Sequence, residues 1–169
     1  GMLMNPVVLT EAVESVKTPG STVVLTSPRG EVLTHSLAKE LAQSEHLIII
    51  AGHYEGVDER VIEEVVDREI SIGDYVLSNG NLAAMVIADS VIRLLPGALG
   101  DGESAEQDSF GDGLLEFPQY TRPPVFRNRA VPEVLLSGDH GKIAEFRRQS
   151  SERLTRERRP DLWEKFLIN

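Results

Sequence analysis

Cysteine is missing from all 169 residues, which excludes a disulfide framework, a thiolate nucleophile and a cysteine-ligated zinc site. Histidine is scarce: His35, His46, His53 and His140 stand apart, with none of the spacings that metal ligands share, so no metal site is expected. No apolar run reaches the length of a membrane span, and the opening Gly-Met-Leu-Met-Asn-Pro lacks the charged and apolar regions of a signal peptide. A soluble, cytoplasmic chain with no membrane partner is the expectation. There is no internal repeat, no low-complexity tract and no phosphate-cradling glycine loop of the dinucleotide or nucleotide triphosphate type, which makes a generic nucleotide-binding domain a poor reading.

What is present is an uneven charge. The net balance of −10 argues against a polyanionic partner, but the two ends differ in sign. Up to residue 119 the chain holds 6 Lys and Arg against 20 Asp and Glu, whereas from residue 120 it holds 11 against 7. The basic part gathers at Lys142, Arg147, Arg148, Arg153, Arg156, Arg158 and Arg159. Such a run is either a solvated helical face or a footprint for phosphate backbones.

The apolar pattern gives the fold class. Helical spacing predicts a helix from Met2 to Val16, Thr22 to Thr26 reads as a buried strand, and Ser27-Pro28-Arg29-Gly30 as a turn. Leu33, Leu37 and Leu41 mark one face of a second helix, Leu47 to Ala51 a strand buried on both sides, and Val57 to Val66 a third helix. Ile70 to Gly73 is the next strand, and a helix follows from about Leu82 to Leu95, stopped by Pro96-Gly97. Strands alternating with helices predict an α/β domain, a parallel sheet with helices on both faces. Residues 97 to 120 lack periodicity and read as a long acidic loop or linker carrying Asp101, Glu103, Ser104, Glu106, Asp108 and Ser109. Beyond it come a strand-like run at Val134 to Leu136, a basic helix from Lys142 to about Arg153, and a terminal helix through Leu162, Trp163 and Phe166. The domain division expected is 1–100, a linker over 101–124, and 125–169.

The stretch from Ile70 to Met85 organises the rest. A short strand runs into a polar turn with Gly73, Asn79 and Gly80, residue types that tolerate positive φ or let another group approach the backbone closely, and then into an apolar helix. A ligand there would be gripped mainly by main-chain groups.

The chain resembles the bacterial tRNA (guanine-N1)-methyltransferases that act on the guanosine just 3′ of the anticodon. The resemblance is carried in order by Ser27-Pro28, by Gly52-His53-Tyr54-Glu55-Gly56-Val57-Asp58-Glu59-Arg60, by Ser71-Ile72-Gly73-Asp74-Tyr75-Val76-Leu77-Ser78, by Asp89-Ser90-Val91 with Arg93, by Glu103-Ser104 and Asp108-Ser109-Phe110, by Gly113-Leu114-Leu115, by Tyr120-Thr121-Arg122-Pro123 and by Leu135-Leu136-Ser137-Gly138-Asp139-His140. It implies a SPOUT-type parallel sheet threaded into a trefoil knot, a small C-terminal helical domain that helps to grip tRNA, S-adenosylmethionine as cofactor, and a homodimer with each active site between subunits. By matching position, Ser27, Pro28, Gly52, Tyr54, Glu55, Ile72, Gly73, Tyr75, Leu77 and Gly80 are expected to line the cofactor pocket, and Arg93 and Asp108 to be catalytic. Guanine N1 attacks a methyl group only as its proton leaves, so Asp108 suits a general base, and Arg93 suits the negative charge that builds on O6.

Departures from the family pattern are few. Gly1-Met2-Leu3-Met4 resembles the end of a glycine-rich motif that lies inside the family sequence, which implies that the family's first strand and helix precede this point and that stability or association is altered without them. His53 stands where the family usually has arginine, Asn79-Gly80-Asn81 where it has two glycines and an acid, and Ala83 where it has proline. Two readings follow: a tRNA methyltransferase, or a non-catalytic dimer of the same fold that binds cofactor or RNA without transferring a methyl group.

Overall fold

A computed structural model describes residues 2–98 and 108–168. Part of the expected loop, with Asp101, Glu103, Ser104 and Glu106, lies outside the described residues. The chain divides into two compact units, Gly1–Gly100 and Asp101–Asn169.

The first unit is a mixed α/β layer structure. In order it contains α1 (Pro6–Val16), β1 (Ser21–Val32), α2 (His35–Leu41), β2 (His46–Ile50), α3 (Glu59–Val65), β3 (Arg68–Ser71) and α4 (Asn81–Ile92). Its strands form a parallel sheet in the order β2-β1-β3, with Val23 opposite Ile48 on one side and Thr26 opposite Ile70 on the other. Successive side chains of a strand face opposite ways. Val24 therefore joins Leu37, Leu41, Ile70, Ile87 and Val91 on one face, under α2 and α4, while Val23 and Leu25 join Val13, Ile50, Val61 and Val65 on the other, under α1 and α3.

Side-chain caps set the helix starts. Asn5 accepts from the N–H groups of Val7 and Val8, Thr34 from that of Leu37, and Asp58 from that of Arg60, so α2 and α3 begin at His35 and Glu59 rather than at the first apolar residue of each pattern. The turn expected at Ser27–Gly30 is instead part of β1. Thr26 and Glu31 both pair with Ile70, so the four residues between them are left out of the ladder as a bulge and the strand resumes beyond them. Gly30 lies flat on the neighbouring strand, where a Cβ would stand 2.3 Å from the carbonyl carbon of Glu69.

The second unit comprises a two-residue hairpin, β4 (Val125–Phe126) with β5 (Arg129–Ala130), followed by α5 (Glu133–Leu136), α6 (His140–Arg158) and α7 (Pro160–Ile168). The strand-like run at Val134–Leu136 is thus a helical turn: it follows Pro132 and carries Glu133 in its first turn, and three apolar residues are too few to show a period. The basic helix starts at His140, where Asp139 caps the N–H of Lys142, and runs to Arg158, past the expected end at Arg153. Trp163 and Phe166 of α7 stack at 5.5 Å, with the Arg148 guanidinium of α6 5.3 Å from the Phe166 ring.

Candidate functional site

The carboxyl ends of β2 and β3 converge with the bulge of β1 on a cavity of about 210 Å³. From β1 the chain passes through α2 on one face to β2, then through α3 on the other face to β3, which lies on the far side of β1. Such a reversal opens a crevice beyond the strand ends, the usual ligand position of open α/β sheets. Its walls are the β1 bulge, the loop after β2 and the loop from Ser71 to Gly80.

Each wall is held by identifiable bonds. Arg29 ties the bulge to α3 and β3 through Glu59 at 3.1 Å and Glu69 at 3.3 Å. Its guanidinium pKa is raised above the usual arginine value, first by the hydrogen bond to Glu59. In the loop after β2, Tyr54 and Gly56 take φ of 58° and 135°, and the N-terminal segment grips it: Glu55 N–H donates to the Met2 carbonyl and Met4 N–H to the Gly56 carbonyl, both at 3.0 Å. The third wall is shaped by Ser71, whose hydroxyl donates to the Gly73 carbonyl and accepts from the Gly73 N–H, and by Tyr75, whose hydroxyl donates to the Ile72 carbonyl at 3.0 Å.

Gly80 joins two walls. Its N–H donates to the Gly52 carbonyl at 2.6 Å, and a Cβ on it would stand 2.2 Å from Thr26 Oγ1 and 2.4 Å from the Gly52 nitrogen. Thr26 itself is buried; its hydroxyl donates to the Ile50 carbonyl and accepts from the Gly52 N–H. Asn79 Oδ1 accepts from the Asn81 N–H at 2.9 Å, which starts α4 where the family pattern has glycine and an acid.

Ser27, Pro28, Gly52, Tyr54, Glu55, Ile72, Gly73, Tyr75, Leu77 and Gly80 all line this cavity. Reading the sequence named Asn79 in the turn but did not assign Thr26 or Ser71 to the same lining, because their contribution is a backbone-directed hydrogen bond. Arg93 is not on it; it closes α4 as its C-cap. Asp108 belongs to the second unit, on a separate cavity of about 340 Å³.

The segment carrying Asp108 is tightly folded. Gly111 N–H donates to the Asp108 carbonyl at 3.0 Å, Phe110 N–H to the Leu114 carbonyl at 2.7 Å, and Glu116 N–H to the Ser109 hydroxyl at 3.0 Å. Thr155 of α6, with no exposed surface, anchors it: its hydroxyl accepts from the Leu115 N–H at 2.8 Å and donates to the Ser151 carbonyl at 2.7 Å. Asp112 ion-pairs with Arg148 at 3.2 Å.

Among the described residues no helix is long and apolar enough to cross a membrane. A model of the family described as tRNA (guanine-1)-methyltransferase TrmD matches residues 1–165. The chain is 56% identical over 169 residues to a tRNA (guanine-N(1)-)-methyltransferase of Chlamydia abortus, a match that takes in all of this chain and 48% of that protein. It is 55% identical over 167 residues to the protein of the same name from Chlamydia pneumoniae, covering 99% of this chain and 46% of the other. One from Dehalococcoides mccartyi is 55% identical over 172 residues, with all of this chain and 69% of the relative matched. The chain spans about half the length of the chlamydial relatives. On the strength of the match along nearly its whole extent, the chain belongs to the tRNA (guanine-1)-methyltransferase family.

Proposed function

We propose that the protein acts in S-adenosylmethionine-dependent methylation of tRNA at guanine N1, on the guanosine 3′ of the anticodon, in the cytoplasm. One observation carries the reading: the ten positions matched to a cofactor pocket lie on a single cavity at the carboxyl ends of a parallel sheet. The lining suits the group. Gly80 packs bare main chain against Thr26 and Gly52, where a Cβ would collide, and so keeps two walls close enough to hold an adenine between them. Pro28, Ile72 and Leu77 offer it apolar surface, and Glu55 can accept from hydroxyl or ammonium groups. Bound there, S-adenosylmethionine would supply a methyl group on a sulfonium sulfur. The fold proposed is the SPOUT type, with the Ser71–Gly80 segment in a trefoil knot.

In this reading Asp108 takes the proton from guanine N1 as the nitrogen becomes a nucleophile, and Arg93 stabilises the charge that develops on O6. The remaining requirement is alignment of the methyl group with N1, which an ordered Asp108 segment favours. The assembly is a homodimer in which Asp108 of one subunit serves the cavity of the other, with residues 1–100 as the cofactor domain, 101–124 as the linker and 125–169 as a tRNA-contacting domain.

Calorimetric titration with S-adenosylmethionine, then a methyl-transfer assay on a tRNA transcript with guanosine or adenosine at the target site, tests the reaction. Saturable binding and transfer to the guanosine transcript alone are expected. Binding without turnover selects the non-catalytic reading that Asn79 and Asn81 motivate by standing where the family has glycine and an acid. Mixing Arg93→Ala with Asp108→Ala protein should restore part of the lost activity; no restoration would sink the shared site.

A further inference from the structure

Two motifs that carry the family resemblance line neither the cofactor cavity nor the Asp108 cavity: Tyr120-Thr121-Arg122-Pro123 and Leu135-Leu136-Ser137-Gly138-Asp139-His140. The end of the second has a local explanation, since Asp139 caps α6. The rest does not. Tyr120, Arg122, Leu135 and Leu136 meet, with Phe117 and Arg147, around a cavity of about 460 Å³ within the second unit.

The chemistry of that lining is specific. It includes two arginines and no carboxylate, in a chain whose acids outnumber its bases by ten. A positively lined hollow on an acidic protein selects an anion. The Arg147 guanidinium sits 4.7 Å from the centre of the Phe117 ring, and Tyr120 is 48% exposed. Aromatic faces and guanidinium planes hold unstacked bases, while guanidinium groups pair with phosphate. Phe117 and Arg147 also line the Asp108 cavity, so the stacked pair is a wall common to both.

We propose that this cavity takes one unpaired nucleotide of a single-stranded RNA segment, its base against Phe117 and Tyr120 and its phosphate on Arg122 and Arg147. A base inside a duplex has no free face to offer, so the ligand is single-stranded or looped. The inference rests on the reading above for RNA as the substrate and adds the place where the second unit holds it.

The test is fluorescence anisotropy of the full chain with a tRNA transcript, repeated over a range of salt, for the wild type, Tyr120→Ala, Arg147→Lys and Arg122→Ala. Loss of a stacking partner should weaken binding about tenfold in Tyr120→Ala at every salt concentration, leaving the salt slope unchanged. Arg147→Lys keeps its charge but loses its plane, and should behave likewise. Arg122→Ala should weaken binding and lower the slope by about one. Circular dichroism melts and S-adenosylmethionine titration of the variants should match the wild type. If Tyr120→Ala and Arg147→Lys bind the transcript as the wild type does, or if a blunt RNA duplex binds as tightly as the transcript, the proposal is wrong. It is equally wrong if Tyr120→Ala shifts sedimentation of the protein and not RNA affinity, since the hollow then seats a second copy of the chain. RNA binding that depends on Tyr120 with no methyl transfer overturns the catalytic reading alone; no RNA binding by the wild type overturns both.

Discussion

Two glycines give opposite expectations for the same substitution. At Gly80 a methyl group would meet Thr26 Oγ1 and the Gly52 main chain, neither of which can move without opening the cavity. Gly80→Ala should cost about 1–3 kcal/mol of stability, as overpacking does, and weaken S-adenosylmethionine binding in the calorimeter. At Gly141, in the first turn of α6, a Cβ meets only Asp139 Oδ1 at an ordinary 3.5 Å. Gly141→Ala should raise stability by up to about 1 kcal/mol in urea denaturation. Thr155 is a third case. Thr155→Val keeps the shape but leaves the Leu115 N–H without its acceptor, a loss of about 1–3 kcal/mol, and Thr155→Ser should recover most of it; equal melting of the two variants would show that the hydroxyl is not the anchor.

Among the described elements, three carry carboxyls held below the usual value, Asp58 at the start of α3, Asp139 at the start of α6 and Asp161 in α7, and α3 has the largest shift. The Asp58 carboxyl is lowered to about 2, first by the hydrogen bond from the Arg60 side chain and then by the Arg60 N–H that it caps. A carboxyl depressed in the folded state contributes stability that is fully present above its unfolded value, near 3.9, and lost as pH falls through about 2. An NMR titration should place the Asp58 midpoint near the lower value, and Asp58→Asn should flatten the stability profile between the two; a midpoint near 4 would count against the cap. The elements also show where sequence reading succeeds. Strands β2 and β3 and helix α4 were legible because each is a periodic or apolar run bounded by glycine or proline. The β1 bulge was not, since Pro28 and Gly30 signal a turn locally and only pairing with Ile70 on both sides keeps the strand going. The hairpin was missed for a similar reason: Arg127 and Asn128 take positive φ of 49° and 63° without the glycine that marks such turns. In the site, Gly73, Asn79 and Gly80 announced close backbone approach, whereas Thr26 looks in sequence like any β-branched strand residue.

In the whole molecule, the acidic first hundred residues and the basic end make opposite demands on a polyanion, so tRNA affinity should depend on where charge is removed. Neutralising Arg153 and Arg156 together should weaken transcript binding and make it less sensitive to salt. Removing two acids at Glu63 and Glu64 should strengthen binding only at low ionic strength. Among the described residues β1 is the strand with a ladder on each side, and its residues Thr26, Ser27 and Pro28 form one wall of the cavity. Whatever lodges there clamps the strand on which both ladders of the sheet depend. A guest at a hundred times its dissociation constant therefore adds about 2.7 kcal/mol against unfolding, and the amides of Val23 to Leu25 become the slowest clock in hydrogen exchange.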